Sequence, residues 1–358
     1  MLTEGVIAAI PTPFYPDERL YLRKLEANMA RYSRSPLAGM LVLGSTGEAV
    51  LLDDADSREA LKVAAEAAAP EKVLIAGVSR ESVRSTVAMA EAAAEYGYDA
   101  VLVRTPSYFS PQMSTAAVLL YFQSVADRSP LPVMLYNFPK LVRYEIPAEV
   151  VAELAHHPNI IGIKDSSGNS AYLSAVVKAT RSAPRRTVTV TPTFEAVTGR
   201  MVAAAEHGEA PATLVPVGQL AGASEEKAEK RSGTLSVKPA LKTRTKEVGF
   251  QVLTGSASNF LEALEAGARG GILAFAAFAP EACQEIYLAW KDHDLKLAAE
   301  KQARVSEASR HMLGFGPAAV KHASDFNGYY GGRVRSPLIG ISTAEKAEIE
   351  EALAAIRN

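Results

Sequence analysis

The chain has 358 residues, a formal net charge of −2, 48% hydrophobic and 22% charged residues, and one cysteine. The apolar share excludes wholesale disorder, and the near-neutral charge argues against a nucleic-acid or anionic-membrane partner. The length admits two domains or one large barrel, and Cys283 alone cannot form an internal disulfide, which fits a reducing, cytoplasmic setting.

Short apolar runs recur along the chain, each followed by a helix-like segment. They are GVIAAIPTPF (5–14), GMLVLGSTGE (39–48), KVLIAGVS (72–79), DAVLVRTP (99–106), PVMLYNFP (132–139), IIGIKDSS (160–167), FQVLTGSA (250–257) and GGILAFAAF (270–278). The runs are continuous rather than alternating, so both faces are expected to be buried, as in a parallel sheet covered by helices. Between them, Leu22, Leu25, Met29 and Tyr32 form one helical stripe, segment 81–96 ends at a C′ glycine, Gly97, and Pro147 can open a helix. Eight strands alternating with helices predict an α/β fold, a (β/α)₈ TIM barrel.

Two regions break the alternation. Residues 184–247 replace an αβ connection that ordinarily needs about 2–6 residues. Within this insertion before strand seven, TVTVTPT (187–193) alternates like a strand and 194–208 reads as a helix. Residues 209–247 show little periodicity and read as a mobile insertion. Such αβ connections lie opposite the catalytic face of a barrel, so catalysis is not expected to need this one. Residues 280–358 read as a C-terminal helical extension, leaving 1–279 as the interrupted barrel.

Catalytic groups of such a barrel project from the C-terminal ends of its strands. Lys164 follows Ile160, Ile161, Gly162 and Ile163, so its amine emerges from apolar surroundings. Desolvation lowers an amine pKa, and a neutral amine is what Schiff-base chemistry requires. The same pattern also suits a lysine paired with Asp165. Tyr136, one strand earlier at matching depth, can shuttle a proton or simply cap the core. Ser45 and Thr46, between two glycines, can converge on a carboxylate or form a tight βα turn.

Other chemistries lack support. There is no HExxH, no paired CxxC, no Walker loop and no GxGxxG after a strand, so neither a metal nor a cofactor is implied. Asp53, Asp54 and Asp56 suit a helix N-terminus better than a metal cage. No signal or transit peptide pattern is visible. The longest uncharged stretch, Thr105 to Ala126, holds Pro106 and Pro111 and is a poor membrane span.

Taken in order, GSTGE, TPSYF, YNFP, IGIKDSSGN and VLTGS resemble the dihydrodipicolinate synthase / N-acetylneuraminate lyase family of pyruvate-dependent class I aldolases. TPSYF, HPNIIGIKDSSG and the tail FNGYYGGRVRSPL look in particular like its 4-hydroxy-2-oxoglutarate aldolases. The resemblance implies that Lys164 forms the imine, that Tyr136 is the acid/base, and that Ser45 and Thr46 bind the substrate carboxylate and relay protons. It implies that Tyr108 reaches a neighbouring subunit's site in a dimer or tetramer. Gly255 and Ile272 would line the pyruvate pocket, and Ser166 would touch the distal part of the substrate.

One departure stands out. Dihydrodipicolinate synthases continue YNxP with x-Arg-Thr-Gly, and that arginine binds the aldehyde substrate's carboxylate. Here Leu141 holds the arginine position and Arg143 the glycine position. Leucine cannot replace a bidentate guanidinium, so the lysine-biosynthesis reaction is disfavoured unless Lys140 or Arg143 swings in. The expected activity is therefore cleavage of a 4-hydroxy-2-oxo acid to pyruvate and an aldehyde. Dihydrodipicolinate synthase or a 2-keto-3-deoxy sugar-acid dehydratase on the same imine is the alternative, and a non-catalytic barrel the third.

Overall fold

The computed structural model describes residues 1–207, 241–312, 314–354 and 356. Eight parallel strands close on themselves: β1 (Gly5–Ala9), β2 (Gly39–Val42), β3 (Val73–Gly77), β4 (Ala100–Arg104), β5 (Val133–Asn137), β6 (Ile160–Asp165), β9 (Gln251–Thr254) and β10 (Gly270–Leu273). Ring order follows chain order, with β10 pairing β1, so this is the (β/α)₈ barrel expected from the apolar runs. Every residue in these strands is buried except the half-buried Arg104.

Alternation along each strand sorts the side chains into two layers. Ile7, Leu41, Ile75, Leu102, Met134, Tyr136, Leu253 and Ile272 fill the barrel interior. Val6, Met40, Leu74, Val101, Leu135 and Ile163 face outward to the helices. The predicted helical features hold. Leu25, Met29 and Tyr32 are the buried face of Leu22–Ser33, and Gly97 takes φ +81° after Val83–Glu95. Pro147 caps Ala148–Leu154, and the Asp53 carboxylate accepts from Asp56 N at 2.7 Å at the start of Asp54–Ala67.

The region between β6 and β9 departs from the expectation. Its first part is the strand β7 (Arg186–Val190), as read, but β7 pairs antiparallel with β8 (Arg244–Val248), inside the segment read as aperiodic. The helix also starts later than expected, at Gly199 rather than 194, and runs to His207. Thr191–Glu195 forms a turn instead, and Thr198 Oγ1 caps the helix by accepting from Met201 N at 3.0 Å. Residues 208–240, most of the predicted mobile stretch, lie outside the described residues.

The described arms of this insertion seal the N-terminal mouth of the barrel. Val188, Val190 and Val248 pack on Leu2, just before β1. The Asp99 carboxylate, which precedes β4, accepts from Gly199 N at 3.1 Å and Leu74 N at 2.9 Å. Arg186 donates to the carbonyls of His157 and Ile160, each at 2.8 Å, at the start of β6. This is the face opposite the strand C-termini, as expected.

After β10, the helix Pro280–Lys291 buries Cys283 and Ile286 against the barrel, so it serves as the eighth helix of the ring. Three further helices follow: Leu295–Met312, Gly316–Phe326 and Thr343–Ala354. Ala319, Val320, Ala323, Ile349 and Leu353 belong to the same apolar cluster as the outward faces of the strands. Among the described residues, no helix is long and apolar enough to cross a membrane.

Candidate active site

Strand register sets the site. Arg104 pairs with Tyr136, Tyr136 with Lys164, and Lys164 with Leu253, so the inward groups of β4, β5, β6 and β9 stand at one level. The level lies at the C-terminal ends of the strands. One extra residue in β6, between the partners of Val133 and Met134, shifts the alternation and keeps Lys164 facing inward.

Lys164 is 4% exposed, and its Nζ sits 4.6 Å from the centroid of the Tyr136 ring. Burial alone lowers its pKa from 10.5 to about 7. The pairing with Asp165 that the sequence also allowed does not form. Adjacent strand residues face opposite ways, and the Asp165 carboxylate instead accepts from Asn137 Nδ2 and from Ser167 Oγ, both at 2.8 Å. Lys164 is thus an amine whose pKa desolvation lowers, with no counter-ion among the described residues to keep it charged.

The Tyr136 hydroxyl lies 3.3 Å from Ser45 Oγ. Burial raises its pKa, opposed by hydrogen bonding with Ser45 and Ser166 and by the Arg104 charge. Ser45 and Thr46 lie in a tight turn after β2, in which Gly47 N donates to the Gly44 carbonyl and Glu48 N to that of Ser45, both at 3.1 Å. Thr12 Oγ1 donates to the Gly47 carbonyl at 2.7 Å and ties this turn to the β1 side of the mouth.

Gly255 follows β9 and its N–H donates to the Asp165 carbonyl at 2.6 Å. A Cβ there would collide with Ser166 Oγ and stand 3.1 Å from Lys164 Cε, so any side chain would fill the space around the amine. Ile272 is fully buried in the interior layer with Tyr136 and Leu253. Lys164, Tyr136, Ser45, Thr46, Ser166, Gly255 and Ile272 therefore surround or underlie one mouth.

Tyr108 stands apart from that group. It is 80% exposed, packs edge-on against Phe109, and its backbone N–H donates to the Glu81 carboxylate at 3.0 Å. With Arg104, Leu141 and Arg143 it lines a neighbouring open cavity of about 600 Å³. Leu141, at the position of the absent arginine, is exposed.

Sequence reasoning gave no role to three residues that the structure brings to the rear of the turn. The Glu48 carboxylate is buried against Lys321 Nζ at 2.6 Å and accepts from Arg335 N at 2.8 Å. Glu48 was visible as the last letter of GSTGE, but its partners come from the far end of the chain.

The description "Dihydrodipicolinate synthetase family" matches residues 2–197 and 228–356. A 4-hydroxy-tetrahydrodipicolinate synthase of Methanosarcina mazei is 34% identical over 49% of this chain and 60% of its own length. The chain spans about 60% of the length of the first such curated relatives. A probable mitochondrial 4-hydroxy-2-oxoglutarate aldolase of Emericella nidulans is 28% identical over 98% of this chain and 94% of the relative. A prophage protein of the dihydrodipicolinic acid synthase family from E. coli K12, solved in complex with pyruvate, superposes with a TM-score of 0.76 at 23% identity, covering 99% of each chain.

Proposed function

Since the chain belongs to the dihydrodipicolinate synthetase family, we propose that it is a class I aldolase that reversibly cleaves a 4-hydroxy-2-oxo acid to pyruvate and an aldehyde. The observation that carries this is the buried Lys164 amine, lowered to about 7 and set against the Tyr136 ring. Neutral Nζ attacks the C2 carbonyl, and loss of water gives a protonated imine. Tyr136 gives its phenol proton to the departing water, and the resulting phenolate, hydrogen-bonded to Ser45, takes the C4 hydroxyl proton as the imine draws electrons from the C3–C4 bond. The aldehyde leaves, the enamine gains a proton at C3, and water releases pyruvate and free Lys164. Ser45 and Thr46 hold the carboxylate and fix the imine's orientation.

Two features favour this substrate class over the synthase reaction. One is the relative named as a 4-hydroxy-2-oxoglutarate aldolase, which runs the full length of the chain. The other is Leu141 at the arginine position of the synthases, which leaves a carboxylate on the aldehyde half to be met by Arg104 or Arg143 of the same cavity instead. The competing reading keeps the same imine but condenses or dehydrates, in line with the relatives named as synthases. Product analysis separates them, because dehydration leaves the carbon skeleton intact and retro-aldol cleavage yields pyruvate.

Borohydride reduction in the presence of pyruvate is expected to leave a three-carbon adduct on Lys164, read by peptide mass spectrometry. Folded protein that cannot be trapped overturns the imine mechanism. Gly255→Ala is expected to lower the efficiency of pyruvate release about 10²-fold, because its methyl group displaces the reacting amine. Wild-type turnover in that variant would remove Gly255 from the pocket.

The same proposal includes a homo-oligomer, dimer or tetramer, joined over the face where Tyr108 and Val50 stand exposed. It treats the C-terminal helices as serving the barrel rather than as an independent unit. A reducing, cytoplasmic setting is part of it and rests on the single cysteine.

A further inference from the structure

The GSTGE turn is held from behind by the C-terminal helices. Glu48 and Lys321 are 0% and 1% exposed at their side chains and meet at 2.6 Å. Lys321 lies on the helix Gly316–Phe326. Its ammonium also donates to the Arg333 carbonyl and stands 4.2 Å from the centroid of Phe14. Arg335 N donates to the second Glu48 oxygen, and the Arg335 guanidinium grips Asp56 at 2.7 Å. Both oxygens of the carboxylate are therefore occupied by residues of the tail.

The turn they hold is under backbone strain. Glu48 sits at φ 56° and Leu43 at φ 59°, a left-handed conformation that residues with a Cβ avoid. Such a conformation persists only where the surroundings over-determine it. A buried ion pair is a poor choice for stability alone, because well-packed apolar residues serve as well or better. It is a good choice for fixing one geometry. Ser45, whose hydroxyl meets Tyr136, is in the same turn, and the Ser45 carbonyl accepts from Glu48 N.

We propose that Lys321 and Glu48 are a positioning pair that sets the Ser45–Thr46 turn for the carboxylate of the 2-oxo acid. Neither side chain touches the substrate; both act through the turn. The inference rests on the reading of Lys164 as the imine-forming group, and wild-type trapping with pyruvate tests that premise separately.

The test uses the full chain in three forms: wild type, the double variant Glu48→Gln with Lys321→Met, and Lys321→Arg. Each is titrated with pyruvate under borohydride, and the concentration giving half-maximal adduct is compared with the thermal midpoint. The double variant leaves no unpaired buried charge, so its midpoint is expected to stay near wild type. Its half-saturating pyruvate concentration is expected to rise at least tenfold. Wild-type half-saturation in the folded double variant overturns the proposal. Lys321→Arg keeps the charge but moves the donor, so it decides the matter should the double variant not fold. A raised half-saturation at an unchanged midpoint supports positioning, and an unchanged half-saturation overturns it. If wild type itself is not trapped, the failure belongs to the imine mechanism and not to the pair.

Discussion

Replacing Lys164 with methionine is expected to abolish turnover and to stabilise the protein in the same step. The loss of activity should reach at least about 10⁴-fold, as for other nucleophile deletions. The gain in stability follows from linkage. The amine titrates near 7 in the folded chain and near 10.5 when unfolded, so between those values the unfolded state binds more protons. Wild-type stability therefore rises with pH across that window, and the cost of burying the ammonium is complete below about 7. Methionine fills a similar volume without that cost. The variant should unfold at higher denaturant at neutral pH, by a few kcal/mol, and the difference should close toward pH 10.5. Urea titrations across pH measure this, and a variant less stable than wild type at pH 7 would contradict the lowered pKa. In the wild-type enzyme, the efficiency of pyruvate release should rise with pH through an apparent pKa of about 7, as the neutral amine accumulates.

Tyr136→Phe should cut kcat about 10²–10⁴-fold, the range for losing a positioned acid/base group. The ring that flanks the amine at 4.6 Å stays, and the hydroxyl that meets Ser45 goes. Substrate KM should change little, and the adduct on Lys164 should remain trappable, because the carboxylate turn is untouched. Stopped-turnover assays alongside borohydride trapping separate these effects. A kcat within threefold of wild type would move the proton-carrying role to another group.

The barrel was legible because its strands are buried on both faces, so each reads as an unbroken apolar run. Lys164 was legible for the same reason, as a charge at the end of Ile160–Ile163. What escaped was of two kinds. β8, RTKEV, lies in a two-stranded antiparallel sheet, with one buried residue, Val248, so no run announces it. Glu48 and Lys321 escaped because pairing across nearly the whole chain leaves no local pattern. The face of Asp165 needed the register of β6, where the extra residue resets the alternation. Tyr108 was found through resemblance, and its exposure explains why no pattern of burial marks it.

The pairing of β1 with β10 has a consequence for how the protein is made. Gly5 must find Gly270, so the ring has two open edges until just over three-quarters of the chain has been synthesised. At about 5–20 residues per second, the ribosome holds the nascent chain in that state for tens of seconds. During that interval, the backbone of β1 and the apolar groups of its neighbours are open to the wrong strand or to another chain. The helix bearing Lys321 emerges later still, so the turn of Ser45 and Thr46 gains its rear support only after all eight strands have been made.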